Sequence, residues 1–132
     1  MKVVKKYPPN IEEIRKRFDI KGRAVVFTYG DILYAPDSSE ISEDLMVHEE
    51  THSMQQSTGV KEWWDRYYVD KEFRLEQELE AYRNQYQWAK ENLNRHYKRR
   101  LLKRIAGDLS SELYGGIVST EEAIKLIKEE YD

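Results

Sequence analysis

The sequence contains no cysteine, and this absence limits the chemistry open to the protein. None of its 132 residues is Cys, which excludes disulfide bonds, cysteine-based zinc sites and thiol nucleophiles. No apolar run approaches the length of a membrane span, and the lysines near the start are not followed by the apolar segment of a signal peptide. The expectation is therefore a cytoplasmic protein without membrane contact.

The sequence also lacks a large excess of charge of either sign. It has 22 Lys and Arg against 25 Asp and Glu, a formal net charge of -3, which argues against a protein that coats nucleic acid. The run Arg95–Arg104 contains six Lys or Arg and offers a contact to nucleic acid or to an acidic partner. In an acidic chain a solvated helix face is favoured, so nucleic acid is not expected as a partner.

Proline and glycine are scarce, with three and six residues, and they lie between periodic segments. Apolar spacing of three and four predicts helices over residues 11–18, 43–56, 71–93, 95–107 and 121–131. Two β-rich runs, residues 24–29 and 32–35, flank the turn dipeptide Gly30–Asp31 and predict a hairpin. We expect one domain, residues 1–132, of helix-rich α+β class, with the aromatic stretch WWDRYYVD packed across the core.

The segment HEETH contains two of the three histidines. On a helix, His48 and His52 lie one turn apart on the same face, so both imidazoles can reach one metal ion. Glu49 lies too far around the helix to complete the coordination, but it can reach a water molecule beside the metal. The alternative is two surface histidines on a charged helix.

A third ligand must come from elsewhere, because no further histidine follows in an H-x-x-G-x-x-H pattern. The predicted helix 71–93 offers Glu76, Glu78 and Glu80. Glu78 lies roughly 60° from the centre of the apolar stripe, against roughly 100° and 140° for the other two. Only Glu78 borders the buried face, where either a zinc ion or a salt bridge to Arg74 can satisfy its charge.

With these residues the sequence resembles the gluzincin metallopeptidases, in which H-E-x-x-H is completed by the glutamate of an E-x-x-A-type motif on a later helix. ELEAY matches that motif, with Glu78 as the ligand and Ala81 at the small position. Much of the first two-thirds also resembles small zincin-like proteins of phages and prophages and the compact minigluzincins. The match departs at Tyr82, where many gluzincins have an acidic residue that orients a ligand histidine.

The resemblance implies a zinc peptidase with one Zn²⁺ ion held by His48, His52 and Glu78, and with Glu49 as general base. The free edge of the hairpin is a candidate for binding an extended peptide. Candidates for a second donor to the substrate carbonyl, each also explained by packing or solvation, are Tyr67, Tyr68, Tyr82 and His96. The alternative function is a catalytically silent zinc-binding protein that serves as a phage structural or host-interaction module, in the host cytoplasm or the virion.

Overall fold

The computed structural model describes residues 1–37 and 40–129 and shows a helix-rich α+β fold. The predicted fold class is therefore confirmed. The strands are β1 (Lys2–Val4), β2 (Phe27–Tyr29) and β3 (Ile32–Tyr34). The helices are α1 (Ile11–Arg17), α2 (Glu43–Gln55), α3 (Val60–Val69), α4 (Lys71–Asn92), α5 (Arg95–Leu109) and α6 (Thr120–Lys128), with a short 3₁₀ turn at Glu112–Tyr114.

The three strands form one sheet in the order β1-β3-β2. The predicted hairpin is β2–β3, although both strands are shorter than the runs that predicted them. Gly30 has φ 67°, which suits the first central position of a two-residue hairpin turn. The sequence did not predict β1, which pairs in parallel with β3, because a three-residue strand among lysines carries no alternating pattern.

The aromatic stretch forms α3, and its four aromatic side chains are buried as expected: Trp63, Trp64, Tyr67 and Tyr68. They pack with residues of α1 and of the hairpin in one hydrophobic cluster. A second cluster joins α4, α5 and α6. Helix α4 lies between these clusters and packs along α2, and the α2–α4 interface contains the candidate site.

The predicted ends of α1, α2 and α4 are each one residue too late, and two further helix ends differ for a structural reason. Helix α5 continues past Gly107 to Leu109, because the fully buried side chain of Leu109 stabilises these two additional helical residues. Helix α6 begins at Thr120, so Ser119 rather than Thr120 is its N-cap and forms a capping box with Glu122. Its predicted end, residues 130–131, lies outside the described residues. In the described part of the chain no helix is both long and apolar enough to cross a bilayer.

Candidate metal centre

Two helices bring His48, His52 and Glu78 together. The histidines lie on successive turns of α2, and the glutamate projects from the facing side of α4. Glu78 Oε1 lies 3.1 Å from His48 Nε2 and 3.2 Å from His52 Nε2, and the two Nε2 atoms are 3.2 Å apart. All three residues are buried, and among the described residues they form a group able to hold a metal ion.

A carboxamide fixes the tautomer of His48. Gln85 Nε2 donates to Asp44 Oδ2 at 2.7 Å, which orients the amide so that its Oε1 faces His48 Nδ1 at 3.0 Å. The hydrogen of the neutral imidazole therefore resides on Nδ1. Arg104 in turn contacts Asp44 Oδ2 at 3.4 Å. The lone pair of His48 Nε2 is left directed at the centre of the site.

His52 is oriented in the same way from the opposite side. Gln55 Nε2 donates to Glu80 Oε1 at 2.8 Å and to the Gln77 carbonyl at 3.0 Å, so its Oε1 faces His52 Nδ1 at 2.8 Å. When the imidazoles are neutral, both Nε2 atoms are therefore acceptors, as is the carboxylate of Glu78. Three acceptors about 3 Å apart repel one another unless a cation lies between them.

The donor triangle fits a tetrahedral metal ion. Zinc bonds of about 2.0–2.1 Å at tetrahedral angles place neighbouring ligand atoms about 3.3 Å apart. The observed separations of 3.1–3.2 Å match one face of such a tetrahedron. Two imidazole nitrogens and one carboxylate oxygen suit zinc, and they also suit other first-row divalent ions.

The electrostatics of the site favour positive charge at the same point. Burial opposes a charge on His52, but the carboxylates of Glu78 and Glu49 outweigh burial and raise the pKa of His52 to about 9. Burial likewise raises the pKa of Glu78, yet the two histidines outweigh it and hold that pKa far below its ordinary value. In the metal-free protein a proton therefore takes the place that a metal cation fits.

The two carboxylate oxygens of Glu78 have separate partners. Oε1 faces the histidines, whereas Oε2 accepts a hydrogen bond of 2.6 Å from the Tyr67 hydroxyl. This short bond to a carboxylate is of the strong, charge-assisted kind and leaves Oε1 as the coordinating atom. Arg74, the alternative partner from the sequence, instead donates to the carbonyls of Tyr67 and Tyr68 at 2.9 Å.

Glu49 lies beside the triangle without belonging to it. It is buried, and its Oε2 accepts from the Thr28 hydroxyl at 3.2 Å. Burial raises the pKa of Glu49 above its usual value, although the nearby charges of His48 and His52 oppose that shift. A carboxyl group whose pKa is raised above its usual value suits proton transfer near neutral pH.

Aromatic rings enclose the two imidazoles. The Tyr82 ring packs edge-on against His48 at 4.4 Å between centroids, and the Trp63 ring lies 5.5 Å from His52. The Tyr82 hydroxyl contacts the Tyr114 hydroxyl at 3.3 Å. The Tyr82 ring therefore restricts His48 by packing against it. The contact that orients His48 comes from Gln85 and not from the side chain at position 82.

Two cavities reach the site from different sides. The smaller, about 90 Å³, is lined by all three triangle residues and Glu49, together with aromatic side chains of α3. The larger, about 460 Å³, is lined by His48 and Glu49 but not by His52 or Glu78. Tyr114 lines both cavities, so the 3₁₀ turn borders each of them.

Strand β2 is an edge strand, but α2 already covers part of its edge. The Gln56 side chain donates to the Thr28 carbonyl at 3.0 Å and accepts from the Gly30 amide at 2.7 Å. Its carboxamide thus mimics a neighbouring strand at Thr28–Gly30. Val25 and Val26, just before β2, line both cavities, and they are the part of this edge that borders the site.

Sequence reasoning identified the triangle and Glu49 but missed much of their surroundings. Gln55, Gln85 and Thr28 carried no recognisable motif, although both glutamines lie at helical spacing from a ligand: three residues after His52 and seven after Glu78. Of the proposed extra donors, Tyr67 binds Glu78, Tyr68 binds Asn10 and His96 lies exposed on α5.

Comparison with known proteins does not assign the chain to a family. No protein-family model matches it, and neither a curated protein nor a solved structure shows significant similarity. The arrangement of His48, His52, Glu78 and Glu49 is therefore the basis on which function is argued.

Proposed function

We propose that this protein is a zinc-dependent peptidase of gluzincin type. The observation that carries the proposal is the convergence of three acceptor atoms within 3.2 Å beside a fourth carboxyl group, Glu49, that does not join them. A structural zinc site is normally closed by four protein ligands, whereas a catalytic site keeps one position open. Here three ligands face a cavity.

When bound, a zinc ion in such a site supplies Lewis-acid chemistry and lowers the pKa of an adjacent water toward neutrality. The carboxylate of Glu49, which accepts a hydrogen bond from Thr28, then acts as general base. It takes a proton from the attacking water and returns it to the amine of the departing peptide fragment. Gln85 and Gln55 hold the ligand imidazoles through Nδ1, so that each Nε2 faces the zinc position.

An extended peptide has one place to lie along the sheet edge. Gln56 covers Thr28–Gly30, so strand addition is directed to the segment containing Val25 and Val26. This segment borders both cavities. A peptide bound there passes next to Glu49.

The silent zinc-binding alternative keeps the same ligands and differs only in the role of Glu49. The small size of the cavity that touches all three ligands, about 90 Å³, favours it. A cavity of this size holds a few water molecules and is too small for a peptide. The two functions therefore diverge in a cleavage assay rather than in metal content.

The test begins with metal analysis of protein purified without a His tag, followed by cleavage of a mixed peptide library. We expect one zinc per chain, and we expect cleavage to stop after chelation and to return when zinc is added. Glu49→Gln should retain the zinc and reduce cleavage by about 10²–10⁴-fold, the usual contribution of a general base.

Glu50→Gln is the matched control. Glu50 is the next residue of α2 and is exposed, and its change to Gln removes the same charge. It should cleave like the wild type. Equal loss in both variants, or full activity in Glu49→Gln, contradicts the assigned role. A wild type that binds zinc but cleaves none of the library favours the silent alternative.

A further inference from the structure

Helix α5 distributes its charge unlike any other part of the described chain. Between Arg95 and Arg104 it has six Lys or Arg and no acid. Taking these 6 from the total of 22 leaves 16 basic residues against 25 acids, so the remaining chain carries a formal charge of -9. The net charge of the whole chain argued against a nucleic-acid partner, but it averages a basic helix with an acidic remainder.

Helices α1 and α3 pair several of their surface charges within one turn. The pairs are Arg15 with Glu12, Arg17 with Glu13, Lys61 with Asp65 and Arg66 with Asp70. On α5 only Arg104 has such a partner, Asp44 at 3.4 Å. Within residues 1–37 and 40–129, the other five cations of the run form no ion pair. Like charges four residues apart destabilise a helix, so solvation alone is a poor reason for this arrangement.

Four of these five unpaired cations, together with His96, share one face, which we call the α5 basic face: Arg95, His96, Arg99, Arg100 and Lys103. These residues span about 140° of the helix. All five are exposed, and together they line a shallow groove of about 610 Å³. Successive basic residues lie one turn apart, about 6 Å along the axis. The face thus presents regular rows of cations to solvent.

We propose that the α5 basic face binds the phosphodiester backbone of a nucleic acid without reading its sequence. Three of the five residues are arginines, whose planar guanidinium groups bind phosphate oxygens in pairs. Tyr97 borders the face, is 54% exposed and lies edge-on to His96. An exposed ring beside a cationic groove offers a surface on which an unpaired base stacks.

The same face fits a membrane or an acidic protein less well. Helices that bind membranes insert an apolar face, but the apolar residues of α5 are packed in the core with α4 and α6. An acidic protein segment supplies carboxylates at irregular spacing, whereas a phosphodiester chain supplies one charge per nucleotide at even intervals. Rows of cations at a fixed pitch match the second pattern.

The experiment measures fluorescence anisotropy of a labelled single-stranded 20-mer DNA, titrated with the full chain at several salt concentrations. We expect a dissociation constant of about 1–100 μM, the range of non-specific complexes. With about four phosphates neutralised, affinity should fall about 50-fold between 50 and 200 mM salt, a slope near -3. Absence of binding at 50 mM salt overturns the proposal.

The variant Arg99→Gln, Arg100→Gln, Lys103→Gln removes three charges from exposed positions and keeps good helix formers. We expect the salt slope to fall by about 2, with unchanged circular dichroism. Should the triple variant lose its helical signal, each single change to Gln is measured instead, with an expected slope change of about 0.7. Unchanged slopes in folded variants contradict the assignment.

Lys2→Gln, Lys5→Gln, Lys6→Gln is the matched control, because it changes the net charge equally at exposed positions outside α5. It should bind DNA like the wild type. Equal weakening in both triple variants shows that the net charge, not the α5 face, governs binding and overturns the proposal. Two competitors complete the test. Displacement of the DNA by polyglutamate at equal charge would assign the α5 basic face to an acidic protein, and displacement by anionic vesicles would assign it to a membrane. Either result overturns the proposal.

Discussion

Helix α4 packs against two neighbours in opposite ways. Against α5 the buried side chains are apolar: Leu101, Leu102, Ile105, Ala106 and Leu109. The side chains that α2 buries are all polar: Asp44, His48, Glu49, Thr51 and His52. The first interface gains stability directly from apolar area removed from water. The second gains stability only while every polar group has a partner.

The apolar interface contributes to stability, whereas the polar interface contains the candidate metal ligands. The polar interface is organised around a point where three acceptors meet, and two glutamines fill no obvious role except to orient imidazoles. A fold selected only for stability has no reason to bury such a group. The following predictions probe the contrast, beginning with the largest expected effect.

Ile105→Ala should cause the largest loss of stability. Ile105 is almost completely buried in the α4–α5–α6 cluster, so the cavity and the lost burial should lower the unfolding free energy by about 2–5 kcal/mol. Urea unfolding measures this change, and the exposed substitution Lys103→Ala in the same helix serves as control. The loss should be the same with and without zinc, and a zinc-dependent loss would show that the two interfaces are coupled.

Metal removal should lower the unfolding free energy by a comparable but smaller amount than Ile105→Ala does. At a free zinc concentration 100 times the dissociation constant, binding adds about 2.7 kcal/mol to the stability of the folded state. Chelation should therefore lower the melting temperature, and added zinc should restore it. His52→Gln, which removes one ligand, should show no such response, and a normal zinc response in this variant would exclude His52 as a ligand.

Gln85→Leu should weaken zinc binding by about 10–100-fold, because second ligand shells contribute about this much to affinity. It removes the acceptor for His48 Nδ1 and leaves Asp44 without its donor at 2.7 Å. Competition with a chromophoric chelator measures the affinity. Gln87→Leu is the control, since Gln87 is exposed on the same helix, and an equal loss there would assign the effect to helix stability.

The last prediction is a pH dependence of the melting temperature of the metal-free protein. The folded-state pKa of His52 is raised to about 9 and that of Glu49 is also raised. A raised pKa contributes stability below the unfolded-state value that is lost as pH increases. Metal-free protein should therefore lose stability from about pH 6.5 to 9.

Zinc binding requires neutral imidazoles, so the stabilisation by zinc should increase over the same range. Differential scanning calorimetry of the two forms measures the gap between their melting temperatures. A gap that narrows as pH rises from 6.5 to 9 would show that His52 is not a ligand of the bound metal.

Sequence patterns predicted five of the six helices of the described residues, because their periodicity is local, but they did not predict that the aromatic stretch forms α3. The spacing of HEETH predicts that two imidazoles share a face, and the position of Glu78 relative to the α4 stripe predicts its burial. The same patterns could not predict β1, whose strand exists only through its pairing with β3. Nor could they predict the end of α5, which the burial of Leu109 decides.

By itself the sequence determined the candidate ligands, the neighbouring carboxyl group of Glu49 and the helices that carry them, because each follows from residue type and from spacing within a few turns. Only the tertiary structure decided that Glu78 approaches histidines 26 and 30 residues away and that Gln85 reaches His48 across 37 residues. These contacts depend on how α2 and α4 are packed. No local pattern encodes the distance between side chains on two helices, because their packing is set by the whole interface.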